Sequence, residues 1–264
     1  MVHVVIHAGF HKTGTKSVQA MINTNRAVLD PVMRCYLKSD VQRLTELAKK
    51  FSATREQAAL RTLGQAERAF FASLDPLDPR PILISAEDLS GYMPGRRKLT
   101  RYDATPKIMA QIAASARASL GDETQIDFYF STRQPDSWFA SLYWQNLRSK
   151  RLTDDLPEFV KRHVEASKFD SLLADIRASV APARVSSQRL DHTSGLPQGP
   201  LTPLLDLLDI APGIRTALSV LPAVNAMPYD GLSDVFLALN RSGMEDDKVA
   251  DAKRHILRLA RRDR

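Results

Sequence analysis

The chain has 264 residues, with 37 Lys and Arg against 30 Asp and Glu for a formal charge of +7, and it is 44% hydrophobic and 25% charged. This composition excludes a disordered or low-complexity protein, and the length suits one α/β core with insertions better than two full domains. Cys35 is the sole cysteine, which excludes an internal disulfide and a cysteine-ligated zinc site; a reducing compartment, and so a cytoplasmic protein, is expected.

Residues 2–7 form an apolar run far shorter than the roughly 20 residues that cross a bilayer, and no basic segment precedes it as in a signal peptide. It reads as a buried strand, followed by a glycine-containing turn and a helix over 15–29. Leu60, Leu63, Phe70 and Leu74 recur at near-helical spacing, which predicts an amphipathic helix over 54–74, ended by two Asp-Pro breaks; a strand over 81–86 follows. A helix over 107–120 stops at Gly121, and QIDFYFST from Gln125 to Thr132 reads as an interior strand, after which Pro135 opens a helix. Further helices are predicted over 156–166, 167–180, 229–240 and 245–262, with a short strand over 184–187. Residues 191–203, with three prolines and two glycines, read as a surface connection or a mobile lid.

Strands alternating with helices predict a single P-loop-like α/β domain over 1–264, with a central parallel β-sheet flanked by α-helices. Parallel sheets bind ligands at the carboxyl ends of their strands, so the residues after Ala8, Ala86 and Thr132 are the ones to inspect.

Gly9 to Ser17 reads GFHKTGTKS, between a strand and a helix, where backbone N–H groups and a helix N-terminus favour an anion. Its spacing is near that of the nucleoside triphosphate loop, but Thr15 intrudes between Gly14 and Lys16, and one residue turns a helix by about 100°. Lys16 and Ser17 therefore do not match the lysine and metal-binding positions of an ATPase. The string KTGTKS from Lys12 to Ser17 instead resembles the 5′-phosphosulfate loop of the sulfotransferases that use 3′-phosphoadenosine 5′-phosphosulfate (PAPS) as co-substrate and need no metal. The resemblance implies that Lys12 holds the oxygen bridging sulfur and phosphate. It also implies that the backbone of Thr13, Gly14, Thr15 and Lys16, with the hydroxyls of Thr15 and Ser17, holds the 5′-phosphate. Lys16 stands where the family more often has Thr or Ser.

At the end of QIDFYFST, Arg133 is followed by Pro135, Ser141, Tyr143 and Arg148 in RQPDSWFASLYWQNLR. This series resembles the 3′-phosphate motif of the same family, which implies that Arg133 and Ser141 hold the 3′-phosphate; a guanidinium and a hydroxyl are suitable donors. Taken singly, Arg133 is an ordinary strand-end charge and Ser141 a helix-surface residue. Two motifs in the right order, about 120 residues apart, carry the resemblance. The segment from Asn225 to Arg241 is similar to one that closes over the cofactor in bacterial members, which implies a contact from Asn225. No adenine-binding loop is visible.

Transfer to a hydroxyl benefits from a base, and Glu87, directly after the strand over 81–86, is the first candidate, against the alternative of a loop carboxylate or helix cap. His11 is the second, while His7 reads as packing at the strand end. The loop GRRKLTR over 95–101 reads as a solvated surface or as the border of a pocket for an anionic small molecule, glycan or lipid. The basic C-terminal helix is not read as a membrane anchor. A P-loop kinase or phosphotransferase is the alternative enzyme. Nucleic-acid binding, raised by the net charge, finds no zinc-finger spacing or interleaved basic and aromatic face, so no nucleic-acid partner is expected.

Overall fold

The computed structural model describes residues 2–222 and 230–262. In chain order the elements are β1 (His3–His7), α1 (Thr15–Thr24), α2 (Arg26–Leu29), β2 (Arg34–Leu37), α3 (Gln42–Thr54), α4 (Gln57–Ala72), β3 (Ile82–Ser85), α5 (Thr105–Leu120), β4 (Gln125–Thr132) and α6 (Pro135–Ser149). There follow α7 (Leu156–His163), α8 (Phe169–Val180), β5 (Arg184–Arg189), α9 (Leu190–Thr193), α10 (Thr202–Leu207), α11 (Pro212–Thr216), α12 (Leu232–Arg241) and α13 (Asp246–Arg262).

All five strands lie parallel in one sheet, in the order β2-β3-β1-β4-β5. Side-chain alternation splits the core into two layers. Val4 and Ile6 of β1, with Phe128 and Phe130 of β4, pack against α3, α4, α5 and α8. Val5 and Tyr129 point the other way, onto Val18, Met21 and Ile22 of α1 and Leu204 and Leu205 of α10. The expected α/β class with helices on both faces of a parallel sheet is therefore what forms. Chain connections pass to one side of β1 for β2 and β3 and to the other for β4, so β1 ends at the point where strand order reverses, the place where such sheets open a crevice.

Several expectations need correction. The helix over 15–29 breaks at Asn25, whose side chain donates to the Met21 and Ser219 carbonyls and accepts from the Ser219 N–H, so a polar side chain replaces the helix ladder there. The helix over 54–74 begins at Gln57, because Arg55 ends α3 in the left-handed conformation at φ 59. β2 and α3 are additional elements. Arg34 makes β2 look polar, yet it is buried, with its guanidinium donating to the carbonyls of Asp75, Asp78 and Arg80. Residues 191–203, expected as a surface connection or a mobile lid, are more regular than that expectation. They carry α9, a 3-10 turn at Gly199–Leu201 and the start of α10, with Leu201 fully buried under the sheet. Among the described residues no helix is long and apolar enough to cross a membrane.

Candidate functional site

The strand order sets the order of chemistry along the carboxyl edge of the sheet: Lys38 after β2, Glu87 and Asp88 after β3, His11 and Lys12 after β1, Arg133 after β4 and Leu190 after β5. Neighbouring strands are about 4.8 Å apart, so these groups converge. All of them line one cleft of about 1240 Å³.

β1 delivers the loop that the sequence singled out. Lys12 is held left-handed at φ 70, and Gly14 at φ 102 caps α1 without any side-chain acceptor. A non-glycine residue in that region is strained by about 1–3 kcal/mol, which persists only where the surroundings enforce it. Here they do. Thr13 is fully buried and donates to the Phe10 carbonyl, with its oxygen 2.9 Å from Ser131 Oγ. The Trp138 indole donates to the His11 carbonyl at 2.9 Å, and Arg133 Nη1 donates to the Lys12 carbonyl at 3.4 Å. Ser17 and Val18 donate to the Gly14 carbonyl, and among the described residues the N–H groups of Thr15 and Lys16 are left as the open donors of α1.

Burial, followed by the nearby cations Arg148, Lys16 and Arg133, pulls the Lys12 ammonium down to about 8, with Glu87 opposing. Lys12 makes no ion pair among the described residues, and Lys16 is exposed at the start of α1. Arg133, half-buried, also donates from Nε to Ser137 Oγ at 3.0 Å. Ser141 stands two turns into α6 and faces the cleft.

The described residues include several buried side-chain polar atoms without a hydrogen-bond partner, and those belonging to the lining of this cleft are Thr15 Oγ1 and Ser141 Oγ. One lies in each motif. Both atoms are occluded as well as unpaired, a status they share with Glu67 Oε1, Trp144 Nε1, Asn146 Oδ1, Ser186 Oγ and Asn240 Oδ1 among the described residues.

The acceptor-side candidates differ in freedom. His11 Nε2 donates to Asp88 Oδ1 at 2.9 Å and Nδ1 lies 3.2 Å from the Tyr102 hydroxyl, which accepts from the His11 backbone N–H. Both ring nitrogens are thus engaged. Glu87 is buried rather than an exposed loop carboxylate, and it opens the 3-10 turn Glu87–Ser90 beside β1. Among the described residues its oxygens accept only long bonds, from Gln19 at 3.3 Å and Lys38 at 3.4 Å. His7 is fully buried, 2.9 Å from Ser85 Oγ, and burial draws it down to about 4 against the charge of Glu87, so it is a neutral packing group.

Sequence reasoning missed the Asp88 cluster. Asp88 pairs with Lys38 at 2.7 Å, Lys49 at 3.2 Å and His11. Burial alone would raise this carboxyl, but the His11 and Lys38 contacts outweigh it and hold it well below the usual carboxylate range. Lys38 follows a strand and Lys49 lies on a helix that the hydrophobic pattern did not show; the only local signal was a second acid next to Glu87. Asn225 lies outside the described residues.

Comparisons with protein-family models, with curated proteins and with solved structures find no match for this chain, so its reading rests on the chemistry of the cleft.

Proposed function

We propose that this protein is a sulfotransferase that moves a sulfuryl group from PAPS to a hydroxyl or amine of an acceptor. The observation that carries the reading is the meeting of two sequence motifs, Lys12 to Ser17 and Arg133 with Ser141, on one cationic cleft. These are the two motifs that resemble the 5′-phosphosulfate and 3′-phosphate sites. A nucleotide with phosphates on both its 5′ and 3′ oxygens suits cations and hydroxyls supplied from two loops at once.

In this reading the open N–H groups at the start of α1 and the Thr15 hydroxyl hold the 5′-phosphate, while Arg133 and Ser141 hold the 3′-phosphate. The acceptor oxygen bonds to sulfur as the bond from sulfur to the bridging oxygen breaks, and the electron pair stays on that oxygen. Lys12 neutralises the charge growing there. Glu87 takes the acceptor proton, since it is a neighbour of Lys12 on the sheet edge and its present bonds are weak. The buried Cys35 thiol, pushed up to about 12 by burial, is unreactive and suits a cytoplasmic setting.

The test is thermal stabilisation by 3′-phosphoadenosine 5′-phosphate in EDTA, compared with ATP plus magnesium. Saturation at about 100 times Kd stabilises by about 2.7 kcal/mol. A shift with ATP and magnesium alone replaces this reading with a kinase. Incubation with labelled PAPS and candidate acceptors then tests transfer.

A further inference from the structure

Apart from Lys12, Lys16, Arg133 and Arg148 around the proposed nucleotide site, the cations of the cleft fall into two groups. Lys38 and Lys49 are neutralised by Glu87 and Asp88, and Arg162 pairs with Asp154 at 3.2 Å. Arg96, Arg97, Lys98 and Lys150 also line the cleft, yet none of them has a carboxylate partner among the described residues.

Their positions are built. The loop that carries the first three closes on itself, with Gly95 N–H donating to the Leu99 carbonyl and Leu99 N–H to the Arg96 carbonyl, each at 2.8 Å. Arg97 and Lys98 sit at its tip in the left-handed conformation, at φ 49 and 62. Gly95 rests on α6 so closely that a Cβ would come within 2.8 Å of Asn146 Nδ2, and that amide donates to the Pro94 carbonyl at 3.1 Å. At the end of the same helix the Lys150 ammonium donates to the Gly95 carbonyl and Arg96 donates to Ser149 Oγ. Two elements are therefore locked together with like charges side by side. Burial, followed by the charge of Arg96, lowers the Lys150 ammonium, with Asp154 opposing and Arg162 adding to the fall. An anion between them would relieve both effects.

The geometry points to a second anion-binding subsite, formed by Arg96, Arg97, Lys98 and Lys150, that selects a hydroxylated acceptor bearing two or more carboxylate or sulfate groups, of the chemical kind of an acidic oligosaccharide. Several anionic groups are needed because the cations come from two elements rather than one point. A cleft of about 1240 Å³ exceeds the roughly 300–1,000 Å³ of a single small-molecule site and has room for such a partner beside a nucleotide. The role of acceptor rests on the sulfotransferase reading, whereas binding of the anion does not.

The experiment is calorimetric titration of the full chain with trigalacturonic acid, with neutral maltotriose and a thymidine trinucleotide as controls, at low and high NaCl. Two variants accompany it: Arg97→Asn/Lys98→Asn, which suits the left-handed backbone, and Lys150→Gln, which can still donate to Gly95. Trigalacturonate should bind with an affinity that falls with salt and that drops about ten- to a hundredfold in either variant, as expected for the loss of charged hydrogen bonds. Both variants should bind 3′-phosphoadenosine 5′-phosphate like the wild type, which also shows that they fold. Absent or salt-insensitive binding of trigalacturonate, equal binding of maltotriose, unchanged affinity in both variants or tighter binding of the trinucleotide overturns the proposal. Failure of the adenosine nucleotide to bind overturns the sulfotransferase reading instead and leaves the subsite standing.

Discussion

The indole N–H of Trp138 donates to the carbonyl oxygen of His11 at 2.9 Å, across 127 residues of sequence. This bond fastens the helix that carries Ser141 to the loop that carries Lys12. Trp138→Phe keeps a ring against Phe139 and Phe169 but removes the donor and part of a fully buried side chain. Stability should fall in urea unfolding by more than the ~0.5–1.5 kcal/mol of the hydrogen bond alone, and affinity for 3′-phosphoadenosine 5′-phosphate should fall with it. A stability loss with unchanged affinity would make the bond purely structural.

Lys12 supplies a pH dependence. Its ammonium, drawn down to about 8 chiefly by burial and then by Arg148, Lys16 and Arg133, is the form that neutralises the bridging oxygen. Activity in the free enzyme should therefore fall as pH rises through about 8, and Lys12→Arg should move that limb to higher pH. Lys12→Ala should lower turnover far more than it weakens the desulfated nucleotide, because the charge peaks in the transition state. A steady-state pH profile with single-turnover rates decides both points.

Arg133 is assigned to the 3′-phosphate. Arg133→Ala should weaken PAPS by about ten- to a hundredfold and leave adenosine 5′-phosphosulfate, which lacks that phosphate, nearly unaffected. Equal losses for the two nucleotides in competition binding would remove the assignment.

Glu87 and His11 are separable by substitution. Glu87→Gln should bind nucleotide normally while transfer falls by about two to four orders of magnitude. His11→Ala should act less on transfer than on stability, since its ring is spent on Asp88 and Tyr102. Abolished transfer in His11→Ala with activity retained in Glu87→Gln would hand the base role to the histidine.

Far from the cleft, Glu67 is fully buried between α4 and α5, with one carboxyl oxygen accepting from Ser115 at 3.0 Å and the other unpartnered. Burial raises it to about 8 against the Ser115 bond and the charge of Arg68. Between its ordinary value of 4.5 and about 8 the folded state keeps a proton that the unfolded chain has lost, so stability falls as pH rises through that window. Chemical unfolding of Glu67→Gln across this range should show that part of the slope removed and a variant more stable than the wild type at the alkaline end.

The sequence by itself determined the parts whose cause is local. β4 is eight residues of inward alternation and apolar run, and its bounds coincide with the expected Gln125–Thr132. β1, the turn at Gly14 and the start of α1 follow from a buried run, a glycine and a helix-compatible stretch within a few residues of one another. Arg133 and Glu87 were singled out because they stand at the ends of such strands, and Lys12 because the loop after β1 carries the KTGTKS motif.

Only the tertiary structure decided how these ends stand together. The order β2-β3-β1-β4-β5 puts Glu87 beside Lys12, and no local periodicity encodes which strands pair. β2 escaped notice because Arg34 is made tolerable in the core by three carbonyl acceptors from a distant turn. The Asp88 cluster unites β1, β2, α3 and the end of β3, and the orphaned state of Thr15 and Ser141 is a property of everything that surrounds them. Spacing shows which residue types a segment brings to a sheet edge. Whether a hydroxyl there is already satisfied, or a cation already paired, depends on contacts that exist only once the chain has closed.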